Sequence, residues 1–124
     1  MIRLVLSVLL VLLVATPAHA LVVDYTKGTF SWTWTPGTGS PATSFNMKCG
    51  AATGVYTVVK SYVNPTPTVP TSMTKPISDL ITTPGTYFCN VTAVSQFGLE
   101  SSPDGEVTFQ GDTTPSPATG LTVK

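Results

Sequence analysis

Residues 29–35 read Thr-Phe-Ser-Trp-Thr-Trp-Thr. Phe30, Trp32 and Trp34 occupy every second position, with small hydroxyl residues between them. A strand turns successive side chains to opposite faces, so this spacing gathers the three aromatics on one face and the hydroxyls on the other. The stretch therefore predicts a half-buried β-strand with its aromatic face in a core. Pro36-Gly37-Thr38-Gly39-Ser40-Pro41 follows and predicts the turn that ends it.

The same two-residue period recurs on either side of that turn cluster. Over 44–49, Phe45, Met47 and Cys49 share one phase while Asn46 and Lys48 take the other. Residues 55–63 are rich in β-branched and aromatic side chains and predict a third strand. Three prolines in 64–70 remove backbone donors, which predicts a loop or a ragged edge. Residues 75–81 predict a weak strand, and Thr83-Pro84-Gly85 a turn. The strongest strand signal is 86–94, with Tyr87, Cys89, Val91 and Ala93 on one face and Phe88, Asn90, Thr92 and Val94 on the other. Residues 96–105 predict a loop, and 106–110 a last strand with Val107 and Phe109 in phase. Short alternating strands at this spacing, with no helical period after residue 20, predict an all-β antiparallel sandwich or barrel.

The first twenty residues predict no part of that fold. Arg3 supplies a positive charge, residues 4–14 are almost wholly aliphatic, and Pro17 precedes Ala18-His19-Ala20. This is the pattern of a secretory signal peptide, residues 1–20, with cleavage after Ala20. The apolar run is too short to span a bilayer, which takes about 20 apolar residues, so no stable membrane insertion is expected after cleavage. The rival reading is an uncleaved anchor. The expected location is extracytoplasmic: secreted, periplasmic or on a cell surface. The chain has 124 residues, enough for one domain, here 21–111, followed by a tail, 112–124. Formal net charge is zero and 10% of residues are charged, which argues against a nucleic-acid partner because phosphate binding calls for a basic stripe.

From residue 29 to residue 110 the chain resembles a fibronectin type III domain. Trp32-Thr33-Trp34-Thr35-Pro36 is similar to the second-strand signature of that family. Phe45, Met47 and Cys49 match its third-strand core positions, and Pro84-Gly85-Thr86-Tyr87 its turn into a tyrosine corner. Val91-Thr92-Ala93-Val94 matches the strand beyond, and Gly98-Leu99-Glu100-Ser101-Ser102-Pro103 the turn before the final strand. Ile81 stands where the family usually has Leu, and a proline-led opening strand is missing near Val22. The resemblance implies a two-sheet antiparallel sandwich of immunoglobulin-like architecture, with Trp32, Trp34, Phe45, Met47, Tyr87 and Val91 in the core. It implies that the Tyr87 hydroxyl bonds to nearby backbone. It also makes the strands of Cys49 and Cys89 antiparallel neighbours, and a disulfide between them would persist in an oxidising compartment. The bland alternative is two separate buried thiols.

The functional expectation is a non-catalytic module for protein binding, spacing or assembly, with no cofactor. His19 is the one histidine, so cleavage leaves neither a Ser-His nor a Cys-His nucleophile. Two Cys without His do not make a four-ligand zinc site. Asp104 and Glu106 could act as a carboxylate pair, or join Glu100 around Ca²⁺, but solvated surface charge is the plainer reading. The alternative function is a carbohydrate-binding module or a small carbohydrate-active enzyme, for which Trp32 and Trp34 would be the stacking residues. Asn90-Val91-Thr92 is a formal glycosylation sequon with Asn90 outward, poorly placed in mid-strand. Phe97 and Leu99 flank Gly98 near the 36–41 turn. If exposed they are contact residues; the plainer expectation is that one tucks over the core. Residues 112–117 have a stiff linker composition. Residues 118–123 (Ala-Thr-Gly-Leu-Thr-Val) then look like another opening strand, able to pair with a sheet edge of this chain or of a neighbour.

Overall fold

The computed structural model describes residues 21–103 and 105–124, so the signal-peptide expectation and Asp104 lie outside the described residues. The described chain is all β, apart from one 3-10 turn. Its strands are β1 (Val22–Asp24), β2 (Thr29–Trp34), β3 (Ala42–Gly50), β4 (Val58–Val63), β5 (Thr71–Pro76), β6 (Gly85–Ser95) and β7 (Val107–Asp112). Five of them form one sheet in the order β1-β7-β6-β3-β4, and β2 and β5 form a second. All pairings are antiparallel except β1 with β7, which is parallel.

The alternation in β2 survives folding. Phe30 is buried, Trp32 and Trp34 are half-buried, and Thr29, Ser31 and Thr33 face solvent. The aromatic face lies on the large sheet. Phe30 meets Phe109 edge-on with ring centres 6.1 Å apart, and Trp32 meets Phe45 edge-on at 5.7 Å. Edge-to-face contact suits the quadrupoles of the two rings. Phe45 and Met47 are buried, as expected, with Met73, Tyr62 and Phe109 beside them. Trp32, Trp34, Tyr87 and Val91 pack against this core but remain partly open to water. These four expected core residues thus lie at the margin of the core. The small sheet has two strands against five, so it leaves part of the opposing face uncovered.

Cys49 and Cys89 stand directly opposite in the β3–β6 ladder and are joined by a disulfide, with Cα atoms 4.2 Å apart and both residues fully buried. Such a short separation is typical of facing residues that do not exchange backbone hydrogen bonds.

Three local expectations change. Of residues 75–81 only Lys75 and Pro76 are strand, the end of β5, and Ile77–Asp79 forms the 3-10 turn. Ile77, Leu80 and Ile81 are all buried, at three- and four-residue spacing, which fits a turn of helix and not an alternating strand. The last strand covers Val107–Asp112, and only Phe109 of the expected pair is buried; Val107 is exposed where the interior opens. Asn90 lies on the outer phase of β6, yet it is 7% exposed, and Thr92 beside it is 4% exposed. Glu100 and Lys48 fold across Thr92, and Asn90 is buried with its Oδ1 lacking a hydrogen-bond partner among the described residues, so the sequon is shut away.

Candidate functional site

Two surfaces concentrate the side chains of interest. The larger is a groove of about 1100 Å³ between β2, β7 and the exposed inner face of β6. Trp32, Trp34, Val91 and Val107 line it, with Leu21 and Val23 at the β1 end. No charged side chain lines it among the described residues. It exists because β2 pairs on one side only, with β5, and because β1 pairs with no residue of β7 before Gln110. The edge of β2 that faces away from β5 is unpaired among the described residues, and alternate residues along such an edge direct backbone N–H and C=O groups outward. The indole nitrogen of Trp32 is buried without a hydrogen-bond partner among the described residues. Met73 and Val23 belong to this groove although no strand is expected from the sequence at either, and Val107, expected only as a strand residue in phase with Phe109, joins them.

The second surface is the polar outer face of the large sheet. Glu100 sits at its centre. Lys48 Nζ reaches Glu100 Oε2 at 2.6 Å, Asn46 Nδ2 donates to Oε1 at 2.8 Å, and Thr92 Oγ1 donates to Oε2 at 3.0 Å. Lys48 first, then Asn46, holds the Glu100 carboxyl below its ordinary pKa. Glu106 is occupied in the same way: Thr53 Oγ1 donates at 2.7 Å, the Tyr56 hydroxyl at 2.5 Å and the Gly54 N–H at 3.1 Å. These bonds lower the Glu106 carboxyl and raise the Tyr56 phenol. The two glutamates belong to separate hydrogen-bond sets, and no group of three or more metal-ligating residues occurs among the described residues. The side chain of Asp104 lies outside the described residues.

Asp24 closes the open end of β1. Its carboxylate accepts from the Thr26 N–H at 2.9 Å, the Thr114 N–H at 3.1 Å and the Thr114 hydroxyl. The Thr114 hydroxyl, followed by that of Thr26, holds this carboxyl far below the usual range. The first residues of the tail are thereby pinned to the top of β1. Beyond them Leu121 is 96% and Val123 97% exposed.

Of the other residues singled out, the Tyr87 hydroxyl donates to the Thr83 carbonyl at 2.6 Å, the expected backbone bond, while its ring lies half-buried against Phe109. Neither Phe97 nor Leu99 tucks over the core: they are 85% and 77% exposed. The loop is tighter than its composition suggests. Ser95 N–H bonds to Leu99 O at 2.9 Å, and Gly98 N–H to Ser95 O at 3.0 Å, with Gly98 at φ 86°. Positive φ is open to glycine at little cost, so Gly98 lets Phe97 and Leu99 splay out from a short hairpin tip. Leu99 and Ser40 line one small cavity of about 260 Å³, which places this tip beside the 36–41 turn.

Comparison of the chain with models of known protein families, with curated proteins and with solved structures gives no match.

Proposed function

We propose that this chain is an exported fibronectin type III-like module that works by binding protein and not by catalysing a reaction. One observation carries the reading: an uncharged apolar groove, lined by Trp32 and Trp34, runs beside an unpaired strand edge. Such a site offers backbone hydrogen bonds and side-chain pockets together, the two things an extended protein segment needs. The Cys49–Cys89 disulfide supports export, because such bonds persist in oxidising compartments. The Tyr87 bond to Thr83 and the two-layer packing support the family resemblance. The exposed pair Phe97 and Leu99 offers a second contact point.

Export of the chain with its own leader, then chemical cross-linking in place and mass spectrometry, tests this. The expected result is a mature terminus at Leu21, a cysteine pair that alkylates only after reduction, and cross-links to protein. A retained chain with two free thiols, or a mature chain with no protein cross-link, overturns the proposal.

The partly open Trp32 and Trp34 favour one other reading, a carbohydrate-binding module. Against it, Trp32 makes a T-shaped contact with Phe45 and a tilted one with Tyr62 at 5.9 Å, contacts that tie its ring to the core. Glu100 and Glu106 are held ionised, the opposite of what a glycosidase general acid needs. Saturable binding to a polysaccharide, abolished by Trp34→Ala, would reverse the preference.

A further inference from the structure

We infer that the groove beside β2 is an acceptor for residues 118–123 of a second copy of this chain, so that copies link head to tail by strand addition. The inference rests on the protein-binding reading above and names its partner.

The acceptor is unusual in having no guard. Exposed strand edges are commonly blunted by a lysine or a proline. Lys60 lies in β4, Lys75 with Pro76 in β5, and the charged Asp24 in the three-residue β1, the three other strands with an unpaired side among the described residues. Thr29–Trp34 contains no charge and no proline. The one unguarded edge is also the one that borders the apolar groove.

The donor matches it in length, charge and period. Residues 118–123 number six, as do those of β2. They carry no charge, so nothing charged would be stripped of water in an uncharged groove. Leu121 and Val123 lie two apart, share one face of an extended strand and are almost wholly exposed. Their Leu-x-Val spacing repeats that of Leu21 and Val23, which already line the β1 end of the groove.

Geometry favours a neighbour over self-insertion. The tail leaves from the end of β7, and Asp24 pins Thr114 there. Pro115 and Pro117 follow, and proline-rich chain extends by about 3.1 Å per residue and resists reversal. To reach its own β2 edge the tail would have to double back at once over those prolines. A neighbour's groove needs no such turn. Because donor and acceptor are different surfaces, the contact is heterologous and produces chains or rings.

The test uses the exported, purified protein in two measurements. Sedimentation velocity between roughly 1 µM and roughly 1 mM, a range that covers weak self-association, is expected to show the mass of the native sequence rising at least twofold. The double variant Leu121→Asp, Val123→Asp should stay monomeric with an unchanged circular dichroism spectrum. Titrating that variant with a synthetic peptide of residues 117–124 should shift its tryptophan emission to the blue and saturate. Trp32 and Trp34 are the only two tryptophans and both line the groove. The same peptide with both aspartates should do nothing. A native chain that stays monomeric, an oligomer that survives in the variant, or a peptide that leaves the emission unchanged each overturns the inference. If the native chain is monomeric but cross-links to other proteins, this inference fails and the protein-binding reading stands. If no protein cross-link forms at all, both fail.

Discussion

At the scale of single residues, the charged side chains are few and most are spoken for. Asp24, Glu100 and Glu106 each accept several hydrogen bonds, and each has a carboxyl pKa below its ordinary value. A carboxylate depressed in the folded state adds stability above its unfolded pKa and loses it as the pH falls through the folded value. The ordinary values are 3.8 for Asp and 4.5 for Glu. The melting temperature should therefore be flat from neutral pH down to about 5 and fall progressively below about 4.5. Glu100→Gln and Glu106→Gln should each flatten that acid limb, read by thermal denaturation across pH. These partnerships were only half legible in the sequence. The polar phase of Asn46 and Lys48 marked them as outward, but nothing local said that Glu100, fifty residues on, would cross the sheet to meet them.

At the scale of elements, the two-residue period carried β2, β3 and β6 with small errors at their ends. It failed where a different geometry uses the same residue types. Residues 75–81 mix β-branched and polar side chains, yet Pro76 closes β5 and the next residues bury Ile77, Leu80 and Ile81 from one 3-10 turn. Three apolar residues at spacings of three and four were the available signal, and the weak alternation around them obscured it. Ile81 is 1% exposed and has little room to be replaced. Ile81→Ala should cost about 2–5 kcal/mol, since a cavity remains when so confined a side chain is cut back. Urea denaturation monitored by tryptophan emission would read this as a lowered midpoint with an unchanged slope. The 96–105 segment shows the reverse error. Its composition suggests an open loop, but its first residues form a tight hairpin tip around Gly98, which is why Phe97 and Leu99 are displayed and not tucked away.

At the scale of the whole molecule, the disulfide and the groove set the character of the domain. The bond joins residues 40 apart, and closing a loop of that length stabilises by about 4 kcal/mol in the chain-entropy model. For a domain of this size a loss of that order lowers the melting temperature by roughly 15–30 °C. Scanning the protein with and without a phosphine reductant, after a denaturing pulse to expose the buried sulfurs, should show that drop. An unchanged melting point in fully reduced protein would mean that the two facing strands hold their register unaided. The groove acts in the other direction. It leaves Trp32, Trp34 and Val91 partly wet, a cost the fold carries unless a further strand covers them.

The sequence by itself determined the strand period, the aromatic core face, the placing of the two cysteines on one phase and the scarcity of charge. All of these follow from local chemistry, because alternation, turns and composition act over a few residues. The facing of Cys49 and Cys89 was already implied by the family resemblance and is borne out; tertiary structure alone decided that β1 pairs with β7 and that β2 keeps one edge free among the described residues. Those outcomes depend on which distant segments meet and how far each strand extends. Pairing energies summed over the whole chain fix such choices, and no short stretch of residues contains that sum.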